Sequence, residues 1–413
     1  MKTLSAHFLI SAILLPLWIG ACTPQKSTST TTTASVSPDA QAQTRAIAAA
    51  AAAYLDSLDP SQRAQAQFVF VAPPTATKAT FARKPFGGAH PPGPPPGAET
   101  HDNPGPPPDG KGPPHGPGMG PMGGFIGEQY GQAVWSNFPV SDVPRPGLQL
   151  GSLNPTQRAA AMHLLQAALS AAGYQKVLGI MGADQMLSKT EQGSHFAAGN
   201  DVYTLAILGM PSATAPWMLE FGGHHLGLNL VFNGEHAAMT PTLTGTQPSV
   251  YQIDGKTVRP LAGENDTAFA LLDALDTDQR NKALLTYRVD DLVLGPGHAG
   301  ETIVPEGLPG TDMTATQKAL LLNVIAQWAG IANDAYAKSR LADIKAGLDA
   351  TYFAWSGPTT HAPEKNGSAY YRIQGPKVII EFAPQGTGGD ATMHVHTMYR
   401  DPTNDYGVAD ATR

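Results

Sequence analysis

The sequence predicts an α+β fold: a largely antiparallel sheet packed against helices, preceded by a disordered tether. Three observations predict it. Strand-like and helix-like segments fall in separate blocks instead of alternating, the pattern of a mixed fold with an antiparallel sheet. Asn233-Gly234, the strongest short hairpin signal, sits between two β-like runs. At 413 residues the chain can bury a large core, in one large domain or two.

Taken in order, the chain opens with Lys2 and an apolar run, Phe8 to Ile19, shorter than the roughly 20 residues that span a bilayer. Ile19-Gly20-Ala21-Cys22 follows. Small residues before a Cys, directly after an apolar run, are what lipoprotein processing accepts, and Cys22 is the chain's only Cys. Residues 1–21 are therefore expected to be an export signal and Cys22 the site of lipidation. An ordinary secretory signal with an incidental Cys is the alternative. More than one acyl chain gives stable anchoring, so the membrane is the expected partner through a lipid anchor. Thr23, not Asp, follows the Cys, which favours the outer membrane's periplasmic face or the cell surface over the inner membrane. With Cys22 acylated no disulfide can form, and the fold must rest on its core.

Residues 22–45, rich in Ser, Thr, Ala and Gln, cannot offset the entropy of ordering and read as a lipidated flexible tether. Residues 46–84 are a lead-in of helix and strand. Ala40 to Leu58 is Ala-rich with no interior Gly or Pro, hence helical, and Gln67–Val71 is strand-like. Residues 85–124 are dominated by Pro and Gly, with His90, His101, His115, Met119 and Met122 dispersed among them. This composition is a solvated spacer; weak metal capture by its His and Met is the lesser reading.

The α+β domain is placed at 125–413. Asn154 caps a helix that Pro155 begins and Gly173 ends. A second helix covers Lys176–Glu191. Val202–Leu208, Trp217–Phe221 and His225–Phe232 are β-like, and Asn233-Gly234 turns the chain into Glu235–Thr240. Helices are expected at Glu264–Leu275, Asp278–Tyr287, Ala315–Tyr336 and onward to about Asp349. Strands return at Tyr370–Ile373, Lys377–Phe382 and Met393–Met398. No internal repeat is read along the chain. A net charge of -7 with 14% charged residues argues against a nucleic-acid partner, which wants a basic face.

Two clusters carry the chemistry. In Met393-His394-Val395-His396 on a strand, His394 and His396 share one face and can both reach one ion. In Gly222-Gly223-His224-His225, the glycines make a bend, so which His points inward is left open. Glu381 interrupts an apolar strand, where a carboxylate is costly to bury unless paired or coordinated. The expected metal ligands are therefore His225, His394, His396 and Glu381. Arg400 and His224 are the expected catalytic groups: Arg400 to hold an anionic substrate, His224 to orient a ligand or act as acid or base. Tyr370 or Tyr371 would line the pocket. Against this stand locally hydrogen-bonded His pairs and a structural Arg400–Asp401 ion pair.

Several segments together resemble the bacterial domain of unknown function 3500 family across most of Asn154–Val408. They are Trp217 to Asn229 with its Gly-His-His-Leu core, Phe353-Ala354-Trp355-Ser356-Gly357, Tyr370 to Pro376, Ile380-Glu381, and His394 through Asp401 to Gly407. Where that family usually reads Glu-Tyr-Asp-Asn, this chain reads Glu381-Phe382-Ala383-Pro384. The resemblance implies no established reaction, but it implies that the His, Glu and Arg clusters belong to one site.

The leading expectation is an envelope lipoprotein with a divalent transition metal, Zn, Fe or Cu, acting as a metal-dependent enzyme on a small or anionic substrate. The alternatives are a non-catalytic metal- or ligand-binding lipoprotein and a purely structural one. No nucleophile elbow, Cys nucleophile or phosphate loop supports a different enzyme class.

Overall fold

The computed structural model describes residues 38–71, 73–82, 124–190, 197–386 and 389–411. The expected export signal, Cys22, most of the tether and nearly all of the Pro/Gly segment lie outside the described residues. Among the described residues no helix is long and apolar enough to cross a membrane.

Packed structure begins inside the stretch read as tether. Helix α1 (Pro38–Asp56) buries Ala40, Ile47, Ala51, Tyr54 and Leu55, so its first turn is already part of the core. The Ser/Thr composition of residues 22–45 hid this, because Ala40 and Thr44 gain their stability from partners far along the chain: Thr44 Oγ1 lies 2.7 Å from Tyr336 Oη. A short helix α2 (Pro60–Ala66), capped by Asp59, leads into strand β1 (Gln67–Phe68). The strands β2 (Thr77–Ala82), β3 (Gly124–Tyr130) and β4 (Ala133–Trp135) form a separate antiparallel sheet.

The main sheet needs the rest of the chain. Strand β5 (Leu148–Gln149) is followed by helices α3 (Pro155–Ala168) and α4 (Ala171–Thr190), then by β6 (Thr204–Leu208), β7 (Trp217–Gly222), β8 (Leu226–Asn233), β9 (His236–Ala238) and β10 (Thr242–Thr246). A small hairpin, β11 (Tyr251–Ile253) and β12 (Lys256–Val258), precedes α5 (Ala262–Asp273) and α6 (Thr277–Ala283). After β13 (Leu308–Pro309) come α7 (Ala315–Ala329), α8 (Asp334–Ala346), β14 (Tyr352–Ser356), β15 (Tyr370–Gly375), β16 (Val378–Pro384) and β17 (Val395–Arg400). The sheet order is β1-β6-β7-β8-β10-β17-β16-β15-β14-β13, with β5 on β6 and β9 on β8. Every neighbour pair is antiparallel except β1 with β6. The predicted α+β class with a largely antiparallel sheet is what the chain adopts.

Alternation of side chains decides which face meets which layer. Leu205, Ile207, Leu219, Phe221, Leu228, Ile373 and Ile380 pack with the helices in the main core. The intervening Leu243, Ile379, Ala383 and Met398 face Trp135 and the Leu292–Leu294 segment. Both faces are covered, so the central strands read as continuous apolar runs.

Some expected boundaries differ. Gly173 does not end a helix; it lies inside α4, where a Cβ would stand 2.2 Å from the Ile331 carbonyl oxygen. The break falls at Leu169-Ser170, and Ala315–Tyr336 breaks likewise at Gly330–Asn333, because these two junctions bond to each other: Ser170 N to Ile331 O at 3.0 Å and Asn333 N to Ala168 O at 3.1 Å.

That reciprocity belongs to an internal repeat, contrary to the sequence reading. Gly147-Leu148 and Gly307-Leu308 each begin a short strand, at φ 100 and 96, where a Cβ would strike the carbonyl oxygen of Leu205 or Phe353 at 2.3 and 2.2 Å. Gln157 and Gln317 each close a capping box and each exchange amide hydrogen bonds with a glutamine of another capped helix, Gln62 and Gln279 respectively. The first half therefore runs α1-α2-β1-β5-α3-α4-β6-β7-β8-β10 and the second α5-α6-β13-α7-α8-β14-β15-β16-β17. They join across β10 and β17, where Thr244 Oγ1 and Thr397 Oγ1 lie 2.6 Å apart. The repeat escapes the eye because it resides in caps and close backbone approaches, and because the connectors after β1 and after α6 differ greatly in length.

Candidate metal centre

The site lies at one end of the sheet, where the turn before β8 and the start of β17 meet the middle of α4. The turn Gly222-Gly223-His224-His225 is tight: Gly223 N donates to Leu226 O at 2.9 Å. A Cβ on Gly222 would stand 2.5 Å from that same oxygen, and one on Gly223 2.8 Å from the Tyr203 ring. Only glycine fits this path, and it swings His225 inward. Gly245, opposite His396 in the ladder, donates to His225 O at 2.6 Å; a Cβ there would come within 3.2 Å of His225 Cδ2. Its missing side chain leaves the space the imidazole occupies.

Three ring nitrogens converge. His225 Nε2 lies 3.2 Å from His394 Nε2, and His394 Nε2 lies 3.1 Å from His396 Nε2. Nitrogens bound tetrahedrally at about 2.1 Å stand about 3.4 Å apart, so one ion fits between these three with small adjustment. His225 and His394 are buried, and the His396 side chain is 12% exposed. His225 Nδ1 lies 2.7 Å from Asp184 Oδ1 on α4, whose other oxygen accepts from Tyr203 Oη at 2.6 Å. This places the His225 proton on Nδ1 and turns a bare Nε2 lone pair toward the centre. At His396 the outer nitrogen Nδ1 faces Asn137 Nδ2 at 3.2 Å and Asp291 Oδ1 at 3.6 Å. The buried His and Asp groups form a set that could hold a metal ion. Asp184, His224 and His225 form a second close group, but the oxygens of Asp184 are engaged by His225 and Tyr203. The triad of Nε2 atoms is the better ligand set.

His224 stacks on His225 with ring centroids 3.9 Å apart. Burial first, then the neighbouring imidazoles, hold its pKa well below the usual histidine range, so it is neutral at pH 7.

Two expected site residues are placed elsewhere. Glu381 faces Met398 across the ladder, one side-chain pair along from His396, and its carboxylate accepts from Val293 N at 3.0 Å, Leu294 N at 2.8 Å and the Tyr370 hydroxyl. It is not a member of the imidazole cluster; the burial cost that singled it out is met by these donors instead of by a cation. Arg400 is buried between Glu128, at 3.1 Å, and Asp405, at 2.8 Å, and is not available to a substrate. Asp401 pairs with Arg340 at 2.6 Å, not with Arg400. Tyr370 is bound to Glu381 and Tyr371 Oη donates to Glu264 O, so neither lines the site.

Sequence reasoning missed Asp184, Asp291 and Asn137. Asp184 did carry a signal: Val177, Ile180, Asp184 and Leu187 form one buried helical stripe, in which a carboxylate is out of place. Asp291 and Asn137 lie in irregular segments and carried none. The repeat does not duplicate the site, because the residue preceding β8 is His225 and the one preceding β16 is Lys377.

A further buried carboxylate, Glu220, accepts from Val134 N at 3.1 Å, and no hydrogen-bond partner meets its Oε2 among the described residues. Burial pushes its pKa up to about 8, against the lowering effects of the Val134 amide and Arg145. The unfolded chain titrates near the ordinary value of about 4.3. The folded state thus keeps a proton that the unfolded state has released. Stability contributed this way is present in full below about pH 4 and is lost as pH rises toward about 8, by up to about 1.4 kcal/mol per pH unit. Glu220→Gln is expected to flatten that slope in urea titrations at pH 5, 6, 7 and 8; an unchanged slope would assign it to other groups.

The family model described as "Protein of unknown function (DUF3500)" matches residues 127–408. The chain belongs to this family. No curated protein and no solved structure matches it. The DUF3500 match contains all three clustered histidines with Asn137, Asp184 and Asp291, whereas α1, α2 and β1 precede it. Those three elements are the repeat counterpart of α5, α6 and the Leu284–Leu285 segment, which runs parallel beside Trp355 as β1 runs beside β6.

Proposed function

We propose that this DUF3500 protein is an envelope-anchored metalloprotein whose His225, His394 and His396 bind one divalent transition ion, and that the centre acts as a metal-dependent enzyme on a small substrate. The observation that carries this is the convergence of three Nε2 atoms, one of them oriented by a buried Asp. Zinc, iron and copper all suit an all-imidazole set without thiolate. An ion held there would supply a bound water acidic enough to act as a nucleophile near neutral pH. His224, stacked on His225 and kept uncharged by burial, would flank the ligands as a neutral imidazole. The near-closed site, with Asp291 and His396 at its rim, favours small substrates over polymers.

Elemental analysis of the full-length chain, purified without a metal-affinity tag, tests the reading. About one equivalent of zinc, iron or copper is expected; absence of all three, after attempted reconstitution with each, sinks it. A stoichiometric metal without turnover on any small ester, phosphate or amide would leave a metal-binding protein that is not a hydrolase. The anchoring half of the proposal rests on Cys22. Cys22→Ser is expected to move the protein from the membrane to the soluble fraction, and continued tight membrane association of that variant would overturn it.

A further inference from the structure

Residues 285–307 cross the sheet face opposite the helices with neither helix nor strand. A structureless connection of this length inside a packed domain is uncommon and is usually a lid or binding loop. Side chains of this sheet and of β3 fasten it at separate points. Ser356 Oγ accepts from Val289 N at 3.1 Å, Glu381 accepts from Leu294 N at 2.8 Å, and Glu128 accepts from Gly297 N at 3.2 Å. No strand ladder ties it down; its docking is set by side-chain bonds and by the burial of Leu292 and Leu294 against the sheet. Between the first two fastenings it carries Asp291, whose Oδ1 accepts from Leu292 N at 2.7 Å and Gln385 Nε2 at 2.9 Å, and lies 3.6 Å from His396 Nδ1.

We propose that Asp291 is a positioning residue of the metal centre, and that docking of the 285–307 strap and occupancy of the centre are coupled through the His396–Asp291 contact. This rests on the metal reading above. A cation on His396 Nε2 would leave the ring proton on Nδ1 and make that N–H a stronger donor, drawing it from 3.6 Å toward the Asp291 carboxylate, with the Asn137 amide turning its oxygen in place of Nδ2 toward the ring. Binding therefore tightens the strap. By thermodynamic reciprocity the docked strap tightens binding by the same factor. Asp184 and Asp291 are thus parallel devices for different imidazoles, one on a helix and one on a strap held without a strand ladder.

Hydrogen exchange of the full-length chain with and without Zn²⁺ tests the coupling, with Zn²⁺ affinity measured separately by competition with a chelator. Loss of an outer carboxylate costs about 10–100-fold in metal affinity, and reciprocity sets the same scale for the strap. Zn²⁺ is expected to slow exchange at Val293 and Leu294 by about 10-fold or more. Asp291→Asn, which keeps the side chain's shape, is expected to bind Zn²⁺ about 10–100-fold more weakly and to lose the metal-dependent slowing. Bound Zn²⁺ with unchanged strap exchange in the wild type overturns the coupling while leaving the metal site intact, and needs no variant to fold. Wild-type affinity in Asp291→Asn overturns it as well. No Zn²⁺ binding by the wild type would remove the site itself.

Discussion

His394→Ala is expected to reduce bound metal from near-stoichiometric to background, and to abolish any turnover, while the fold remains. His394 lies between the other two ligands, its Nε2 within 3.2 Å of His225 Nε2 and 3.1 Å of His396 Nε2. Truncation of the side chain leaves the backbone bond from Gln385 N to His394 O, at 2.8 Å, and with it the strand register, in place. Two imidazoles do not retain an ion that a structural or catalytic site holds with three or four ligands. Asp184→Asn should show a graded effect, about 10–100-fold weaker metal binding, because His225 loses the partner that fixes its tautomer. Elemental analysis and chelator competition measure both, with circular dichroism as the check on folding. Stoichiometric metal in His394→Ala would place the ion elsewhere.

Arg400→Met is expected to cost about 3–5 kcal/mol of stability while leaving the three clustered imidazoles in place. Its guanidinium sits over Trp135 and between two carboxylates, Glu128 and Asp405, and also reaches the carbonyl of Leu294. Burial raises the pKa of both carboxylates, and Arg400 is what opposes that rise. Without it two buried carboxylates face each other unpaired, so both would hold protons more tightly in the folded state. The deficit should therefore shrink as pH falls, since protonation relieves it. Urea denaturation at pH 5 and pH 8 measures this. A deficit that is equal at both, or under about 1 kcal/mol as for an exposed pair, would show that the network is not what joins β3 to β17.

The residues that interested the sequence reading divide along a physical line. His394 and His396 were legible as a pair because strand alternation is a local rule, and the bend at Gly222-Gly223 was legible because only glycine tolerates such close backbone. Glu381 was correctly marked as a buried charge, whereas Arg400 was read as a substrate-holding group or as half of an ion pair with Asp401. A buried charge, however, reports only that some partner exists. For Glu381 the donors are amides of a strap 88 and 87 residues away in sequence, and for Arg400 a carboxylate 272 residues away. Distance along the chain carries no such information, so a metal and a substrate filled the gap. The repeat was hidden for a related reason: what its halves share is capping geometry and close backbone approach, with side-chain identity confined to a few scattered positions such as Gly147 and Gly307, Gln157 and Gln317, or Gln62 and Gln279.

By itself the sequence determined the α+β class, the helix capped by Asn154, the strand that follows His394 and carries His396, and membership of a family recognisable from scattered motifs. These follow from rules acting within a few residues. Tertiary structure decided that the His225 ring turns inward to meet the pair, that Asp184 bonds its outer nitrogen while Asp291 stands beside that of His396, and that Glu381 and Arg400 serve the packing of the strap and of β3. Those outcomes depend on which surfaces meet once β10 pairs with β17 and α4 crosses the sheet's end. That meeting is set by the summed burial of a core drawn from both halves of the chain.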